Sequence, residues 1–330
     1  MTEVLNRINQ LKIPIPNNPL EYTNIYLLRG DDNYLLIDAG FGSDEAFNAL
    51  KRQLTEMNID PKKISRLIIT HSHGDHIGLA GPIRDISGAR IAIHSAEAVF
   101  HPPSPENPIV RWNGDWFKES GVPDDLSSDS GFPGGIRRIP PMPEPDVLLE
   151  DGQDIHFDGI DLHVVWTPGH SPGHICLYDA ERKVLFSADH VLPVTTPNIS
   201  LRPGMKGNPL SDYLRSLQRV RDLDVELVLP AHEQIFTDLR SRVDEIIEHH
   251  HHRNEEIVAT LSDGPKTAYQ ISERITWMPE TGGVKFHDLN RWDQRMAISE
   301  ALAHITALKE QGTIDRYIRD GIVYYIIITG

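Results

Sequence analysis

The sequence predicts an α+β protein in which sheets pack together with helices outside, followed by a small unit of three helices and a terminal hairpin. Two patterns carry this. Over residues 1–248, short β-branched and aliphatic runs alternate with amphipathic, capped segments in two similar rounds, and elements of this kind bury their apolar faces by layering. Over residues 249–330, helical stretches give way to Thr313–Arg319, Asp320-Gly321 and Ile322–Thr329, the pattern of a β-hairpin on a DG turn.

The elements follow in order. Thr23–Leu28 and Asn33–Asp38 read as two opening strands joined by a turn. Ser43 offers an N-cap, with Asp44 and Glu45 in the first turn of a helix reaching about Asn58. Arg66–Thr70 is a short buried strand, a helix begins near His76, and Ala89–His94 is another strand. Residues 100–148 hold ten prolines and no sustained periodicity, so they read as an insertion with one short helix around its aromatics. Strand-like runs return in DIHFDG, DLHVVWTPGH, GHICLYD and KVLFSADH, then a helix from about Pro209 to Arg221 and a strand at Glu226–Pro230. A long helix starts near Phe236 and carries His249 to His252. One helical turn cannot aim four consecutive imidazoles at one ion, so this run reads as a solvated or partly packed face. The tail, with Thr267 capping its second helix, has a winged-helix pattern.

Composition narrows the function. The formal net charge is −16, and residues 253–330 carry 9 Lys/Arg against 11 Asp/Glu. This balance disfavours nucleic acid and anionic membranes as partners. No apolar run approaches a membrane span, and the N-terminal stretch lacks the features of a signal peptide, so a cytoplasmic location is expected. The one cysteine, Cys176, excludes an internal disulfide framework and reads as a buried small hydrophobe. There is no G-x-S-x-G elbow and no Rossmann or Walker A loop, so serine hydrolysis and nucleotide cofactors have no support.

Chemistry is concentrated in THSHGDHIG, Thr70–Gly78. His71 and His73, two apart on a turn after a strand, can point the same way. Asp75 and His76 lie further round and would start a second set. His170, Asp189 and His232 each fall just after a predicted strand end, where a scaffold presents chemistry. Together they make two ligand sets: His71, His73 and His170 for one ion, and Asp75, His76 and His232 for the other, with the two oxygens of Asp189 bridging. Zinc is the first expectation for such His/Asp sets, with iron or manganese as alternatives. His94, His101, His156 and His163 read as surface or packing residues, and His174 and His190 as support for the ligands.

The motifs THSHGDH, TPGHSPGH, SADH, PAHE and LLIDAG resemble the metallo-β-lactamase superfamily over about residues 10–245. The resemblance implies an αββα sandwich with a dinuclear site at the edge between the sheets, held by the same seven residues. It places Asp38 behind them, orienting a ligand or adjoining backbone. The tail resembles the winged-helix domain of some members, including lactamase-beta-like endoribonucleases and unassigned hydrolases. The resulting division is a catalytic domain, 1–248, with 100–148 as a lid-like insertion, and a winged-helix domain, 249–330.

The chemistry implied is hydrolysis by a hydroxide shared between two ions, with Asp75 taking part in proton transfer. Within the family, true metallo-β-lactamases usually lack the bridging carboxylate that Asp189 supplies. Lactonases carry a tyrosine where Leu192 stands here. Glyoxalase II-type thioester hydrolases and phosphodiesterases keep all seven ligands. The reading is a small carboxyl ester, thioester or lactone as substrate. A phosphodiesterase or endoribonuclease is the alternative, and an interaction module on a metal-stabilised scaffold is the third. Trp112, Trp116 and Phe117 are expected to line an apolar lid. Leu302, Ile305 and Leu308 offer an apolar face that the tail's own core or a homodimer would use.

Overall fold

The computed structural model describes residues 2–100, 114–128, 143–202, 205, 207–279 and 282–328. The first sheet runs in spatial order β1 (Thr2–Leu5), β2 (Ile8–Pro14), β3 (Tyr22–Arg29), β4 (Tyr34–Ile37), β5 (Ile64–Ile69), β6 (Arg90–His94) and β7 (Val147–Leu149). The first four are antiparallel neighbours, and the pairs from β4 to β7 are parallel. Between them come the helices α1 (Asp44–Glu56), α2 (Gly74–Ile77), α3 (Ala80–Ser87) and α4 (Ser95–Phe100). The insertion contributes α5 (Gly114–Glu119) and α6 (Asp124–Ser128). The second sheet contains β8 (Asp154–Phe157), β9 (Ile160–Trp166), β10 (Ile175–Asp179), β11 (Val184–Ala188) and β12 (Leu227–Pro230). Its strands are antiparallel except that β12 lies parallel to β11. Then follow α7 (Pro209–Arg221), α8 (Leu239–Thr260), α9 (Ala268–Ser272), α10 (Arg291–Glu310) and the hairpin β13 (Ile314–Arg319) and β14 (Ile322–Ile327).

Strand periodicity explains the layering. Successive side chains of a strand face opposite sides. In β3, Ile25 and Leu27 point into a core shared with Ala46, Leu50 and Leu54 of α1 and Ala80 and Ile83 of α3. Tyr26 and Leu28 point the other way, into a core shared with Leu162, Val164, Leu177 and Phe186 of the second sheet. The first sheet is therefore buried on both faces, with helices outside and the second sheet inside. Ser43 caps α1 by accepting from the Ala46 N–H, as its position implied.

The expectation that Thr23–Leu28 opens the fold is corrected. β1 and β2 precede it, turning at Asn6-Arg7 with Arg7 at φ +70°. Three prolines within Ile13–Pro19 obscured β2 in the sequence, yet it pairs with β3 along its full length.

The chain forms two compact units. One comprises the described residues of 1–107, 138–193 and 216–242; the other comprises those of 108–137, 194–215 and 243–330. This differs from a single cut at 248/249, because described parts of the insertion and of 194–215 belong with the tail. The second unit has its own core, in which Phe117, Val122 and Leu126 join Ile257, Ile271, Ile298, Leu302, Ile305 and Leu308. The apolar face of Leu302, Ile305 and Leu308 is thus used within the unit. The lid reading is corrected at Phe117, which is 0% exposed in this core, with Trp116 packed edge-on against it. An aromatic pair flanking a helical turn satisfies a core as readily as a pocket wall. Trp112 lies outside the described residues.

In the tail, Thr267 and Gln270 form a capping box on α9. Asp320 and Gly321 both adopt positive φ, which the two-residue hairpin turn needs. His250 is buried, whereas His251 and His252 are exposed, so the four-histidine run is a partly packed face. Among the described residues, no helix is long and apolar enough to cross a membrane.

Candidate metal centre

Four strand ends of the first unit meet at one place. β5 ends at Ile69 and delivers Thr70–His73; His73 occupies the N-cap position of α2, which carries Asp75 and His76. His170 lies on the loop between β9 and β10, Asp189 directly follows β11, and His232 follows β12 by two residues. The parallel register pairs Ala188 with Pro230, and the Ala231 N–H donates to the Ala188 carbonyl at 3.0 Å. Asp189 and His232 are thereby held side by side. Ala188 and Glu233, next to those two residues, sit at φ +46° and +64°. The Asn24 side chain donates to the carbonyls of Pro230 and Glu233, and the Tyr26 hydroxyl to that of Pro230.

The seven side chains divide into two groups. In the first, His73 Nδ1 lies 3.0 Å from His71 Nε2 and 2.9 Å from His170 Nε2, and Asp189 Oδ2 lies 3.7 and 3.4 Å from the same two nitrogens. In the second, His76 Nε2 lies 3.7 Å from Asp75 Oδ2 and 3.3 Å from Asp189 Oδ1, and His232 Nε2 lies 3.3 and 3.4 Å from the same oxygens. Donors about 2.0–2.2 Å from a tetrahedral ion stand roughly 3.3 Å from one another. Each group matches that spacing, and the two oxygens of Asp189 are shared between them. His76 Nε2 and Asp189 Oδ1 are buried and face each other at 3.3 Å without a well-aligned hydrogen bond, as donors aimed at an ion would be. The residues therefore fit two divalent ions.

The ring nitrogens facing away are also held. His76 Nδ1 lies 2.8 Å from Asp38 Oδ2 and donates to it. Asp38 accepts from the Thr70 N–H at 2.8 Å and from the Thr70 hydroxyl, which also lies 3.1 Å from His71 Nδ1. His232 Nδ1 donates to the Tyr22 carbonyl at 3.2 Å. Such outer contacts fix the ring orientation and raise ligand basicity. Asp38 itself stands at φ +62°. Gly78, which closes the motif, has no room for a Cβ, because one would collide with the Gly42 and Gly74 backbone.

Charges balance internally. Burial opposes ionisation of Asp189, but His76 and His232 beside it hold its carboxyl well below the usual range. Burial works against protonated His232, yet Asp189 and Asp75 push it up to about 10. Burial also opposes a charge on His76, and Asp189, Asp38 and Asp75 together raise it well above the ordinary value. His71 moves the other way, lowered by burial and by His76 and His73. Divalent ions would displace the protons of this centre and take its carboxylates as ligands.

His174 and His190 lie beside the ligands as ring neighbours. The ring of His174 is 5.0 Å from that of His71, and its Nδ1 is 2.8 Å from Thr167 Oγ1. The ring of His190 is 5.8 Å from that of His174, and burial pushes its pKa down to about 3. His94 stacks on Trp166, while His156 and His163 pair with Asp161 and Asp154 near the surface; His101 lies outside the described residues. Contributors not anticipated from the sequence include Tyr22, Asn24 and Tyr26, Thr70, and Ser72 and Ser171, which both bond to the Glu97 carboxylate. Thr70 and Ser72 lie within the histidine motif and Ser171 beside His170, so proximity was the available signal. Glu97 gave none.

A model of the metallo-beta-lactamase superfamily matches residues 18–232. The chain belongs to this superfamily. The probable metallo-hydrolase YqjP of Bacillus subtilis is 26% identical over 312 residues, 91% of this chain and 92% of that protein. The acyl-coenzyme A thioesterase MBLAC2 of Gallus gallus is 33% identical over 222 residues, 64% of this chain and 73% of that one. Among solved structures, the metallo-beta-lactamase family protein TTHA1429 of Thermus thermophilus superposes with a TM-score of 0.81 at 30% identity, covering 99% of this chain and 100% of that one. A beta-lactamase domain protein from Burkholderia ambifaria gives 0.79 at 27% identity, covering 99% and 94%. The mixed α/β fold of residues 18–232 is therefore that of the superfamily, and the two solved structures match 99% of the chain.

Proposed function

We propose that the chain hydrolyses a small carboxyl derivative (an ester, thioester or lactone, with thioesters first) using two divalent ions. Membership of a largely hydrolytic superfamily, with relatives named as a metallo-hydrolase and a thioesterase, makes it a metal-dependent hydrolase. The observation that carries the two-ion reading is the division of seven donors into two groups sharing Asp189. Zinc is our assignment, with iron or manganese as alternatives for the same His/Asp set. When bound, such ions supply a nucleophile from water at neutral pH and polarise the carbonyl under attack.

The chain's own residues do the rest. Asp38 fixes the tautomer of His76 through Nδ1. Asp75 has a side chain 21% exposed, against 0% and 2% for His76 and His232. Its carboxylate faces both its partners and solvent, and we assign to it the transfer of a proton to or from the leaving group. The three-helix tail with its hairpin, to which Lys266 adds a bridge at Tyr325, is read as a winged-helix module.

The test is a comparison of initial rates, on zinc-loaded protein, for acyl-coenzyme A and glutathione thioesters, aryl esters and lactones against aryl phosphodiesters and short single-stranded RNA. Faster thioester turnover that disappears in Asp189→Ala supports the proposal. Faster phosphodiester cleavage with the same dependence replaces it with the nuclease reading.

A further inference from the structure

Glu97 lies on α4, outside every motif that marks the metal centre, yet its side chain is 0% exposed. Its two oxygens reach two different ligand loops. Oε1 accepts from the Ser72 N–H at 3.0 Å and from the Ser72 hydroxyl in a short contact. Oε2 accepts from the Ser171 hydroxyl at 2.9 Å and the Gly173 N–H at 2.8 Å. Ser72 stands between His71 and His73, and Ser171 follows His170. One carboxylate thus joins the two loops that carry all three histidines of the first group.

A second observation is independent of these bonds. A Cβ on Gly173 would collide with the backbone and Cβ of Glu97, so the loop after His170 is seated directly on the start of α4. The histidines of the second group are held differently, His76 by Asp38 and His232 by the Tyr22 carbonyl.

We propose that Glu97 is a positioning residue for one of the two ions only. It sets the spacing of His71, His73 and His170 and leaves the Asp75–His76–His232 ion to other supports. The proposal rests on the two-ion reading above. Its chemistry makes Glu97→Gln informative. The serine hydroxyls can rotate to accept from an amide, but backbone N–H groups cannot. One backbone N–H contacts each oxygen, so either orientation of the glutamine amide sets an NH2 against an N–H and releases one loop.

The experiment titrates cobalt(II) into the metal-free full chain in competition with a chromophoric chelator. It is done for the unsubstituted protein, for Glu97→Gln, and for Glu97→Gln combined with His232→Ala or His73→Ala. Two ions should bind the unsubstituted protein. Glu97→Gln should weaken one of them by about 10–100-fold, the range for loss of an outer contact to a ligand. The loss should recur beside His232→Ala, where the first group remains whole, and not beside His73→Ala. Ser171→Ala, which keeps the carboxylate and removes one bond, should show a smaller loss in the same ion, and it serves if Glu97→Gln does not fold. Equal weakening of both ions, or of neither, overturns the proposal. Fewer than two ions on the unsubstituted protein would instead overturn the two-ion reading.

Discussion

Asp38 sits in left-handed backbone at φ +62° and directs its carboxylate at both Thr70 and His76. Asparagine can keep one of these contacts but not the full set of accepted bonds. Asp38→Asn should therefore lower metal affinity or turnover by about 10–100-fold with the fold retained, read by chelator competition and circular dichroism; an unchanged affinity would remove Asp38 from the centre. The ligands also give metal uptake a pH dependence. His232, held at about 10 by its carboxylates after the opposing effect of burial, and His76, also raised, carry protons near neutrality in the metal-free protein. Ions must displace those protons, so apparent zinc affinity should rise with pH from 6 to 8, with protons released in weakly buffered titrations. At this scale the sequence was informative where residue type and position coincided. Histidines crowd into six positions, and the other ligands follow strand ends. It was silent on Glu97, because a glutamate at the start of a short helix is ordinarily a solvated one. Its partners lie 25, 74 and 76 residues away.

Elements were most legible where local chemistry closes them. Ser43 before α1, the Thr267–Gln270 box and the Asp320-Gly321 turn each specify a boundary through short-range bonds. Elements fixed by distant packing were not. β2 depends on β3 for its pairing, and α5 and α6 are placed by a core built largely from residues more than a hundred positions later. Gly121, at the end of α5, has φ +78°, and a Cβ there would collide with the Thr267 side chain. Gly121→Ala should cost more than about 1 kcal/mol through backbone strain alone, with further loss from the clash. Thr267→Ala, which removes the cap and a buried methyl without straining the backbone, should cost about 1 kcal/mol for the cap. Urea unfolding followed by far-ultraviolet dichroism would rank the two, and a Gly121→Ala midpoint equal to the unsubstituted one would contradict the close approach.

Over the whole molecule, the buried histidines divide by tendency: His250 and His304 in the second unit are lowered, as are His71, His174 and His190 in the first, whereas His76 and His232 are raised. In the second unit, His304 Nδ1 lies 2.8 Å from Asn254 Oδ1 and its Nε2 lies 3.2 Å from His250 Nδ1. This arrangement suits neutral rings, each donating from Nδ1. Burial, followed by neighbouring histidines and Arg253, lowers both well below the ordinary histidine value. Protons prefer these histidines unfolded, so their contribution to stability is intact above about pH 6.5 and declines as pH falls below it. For His76 and His232 in the metal-free first unit the sign reverses: stability is fully present below about pH 6.5 and is lost as pH rises toward their folded values. Amide exchange on metal-free protein, corrected for intrinsic rates, should show α8 and α10 less protected at pH 5.5 than at 7.5, and α2 more protected. A change at α2 in the same direction as at α8 and α10 would refute this assignment.

Cys176 gives the second sheet a use that its chemistry does not advertise. It is the single thiol of the chain, fully buried on β10, and burial pushes its pKa up to about 12 despite a contact with Thr167. A thiol in that condition does not react until the strands around it part. The rate at which a disulfide reagent labels the untouched protein therefore measures how often that sheet opens, and every variant comes with a built-in gauge of its own breathing.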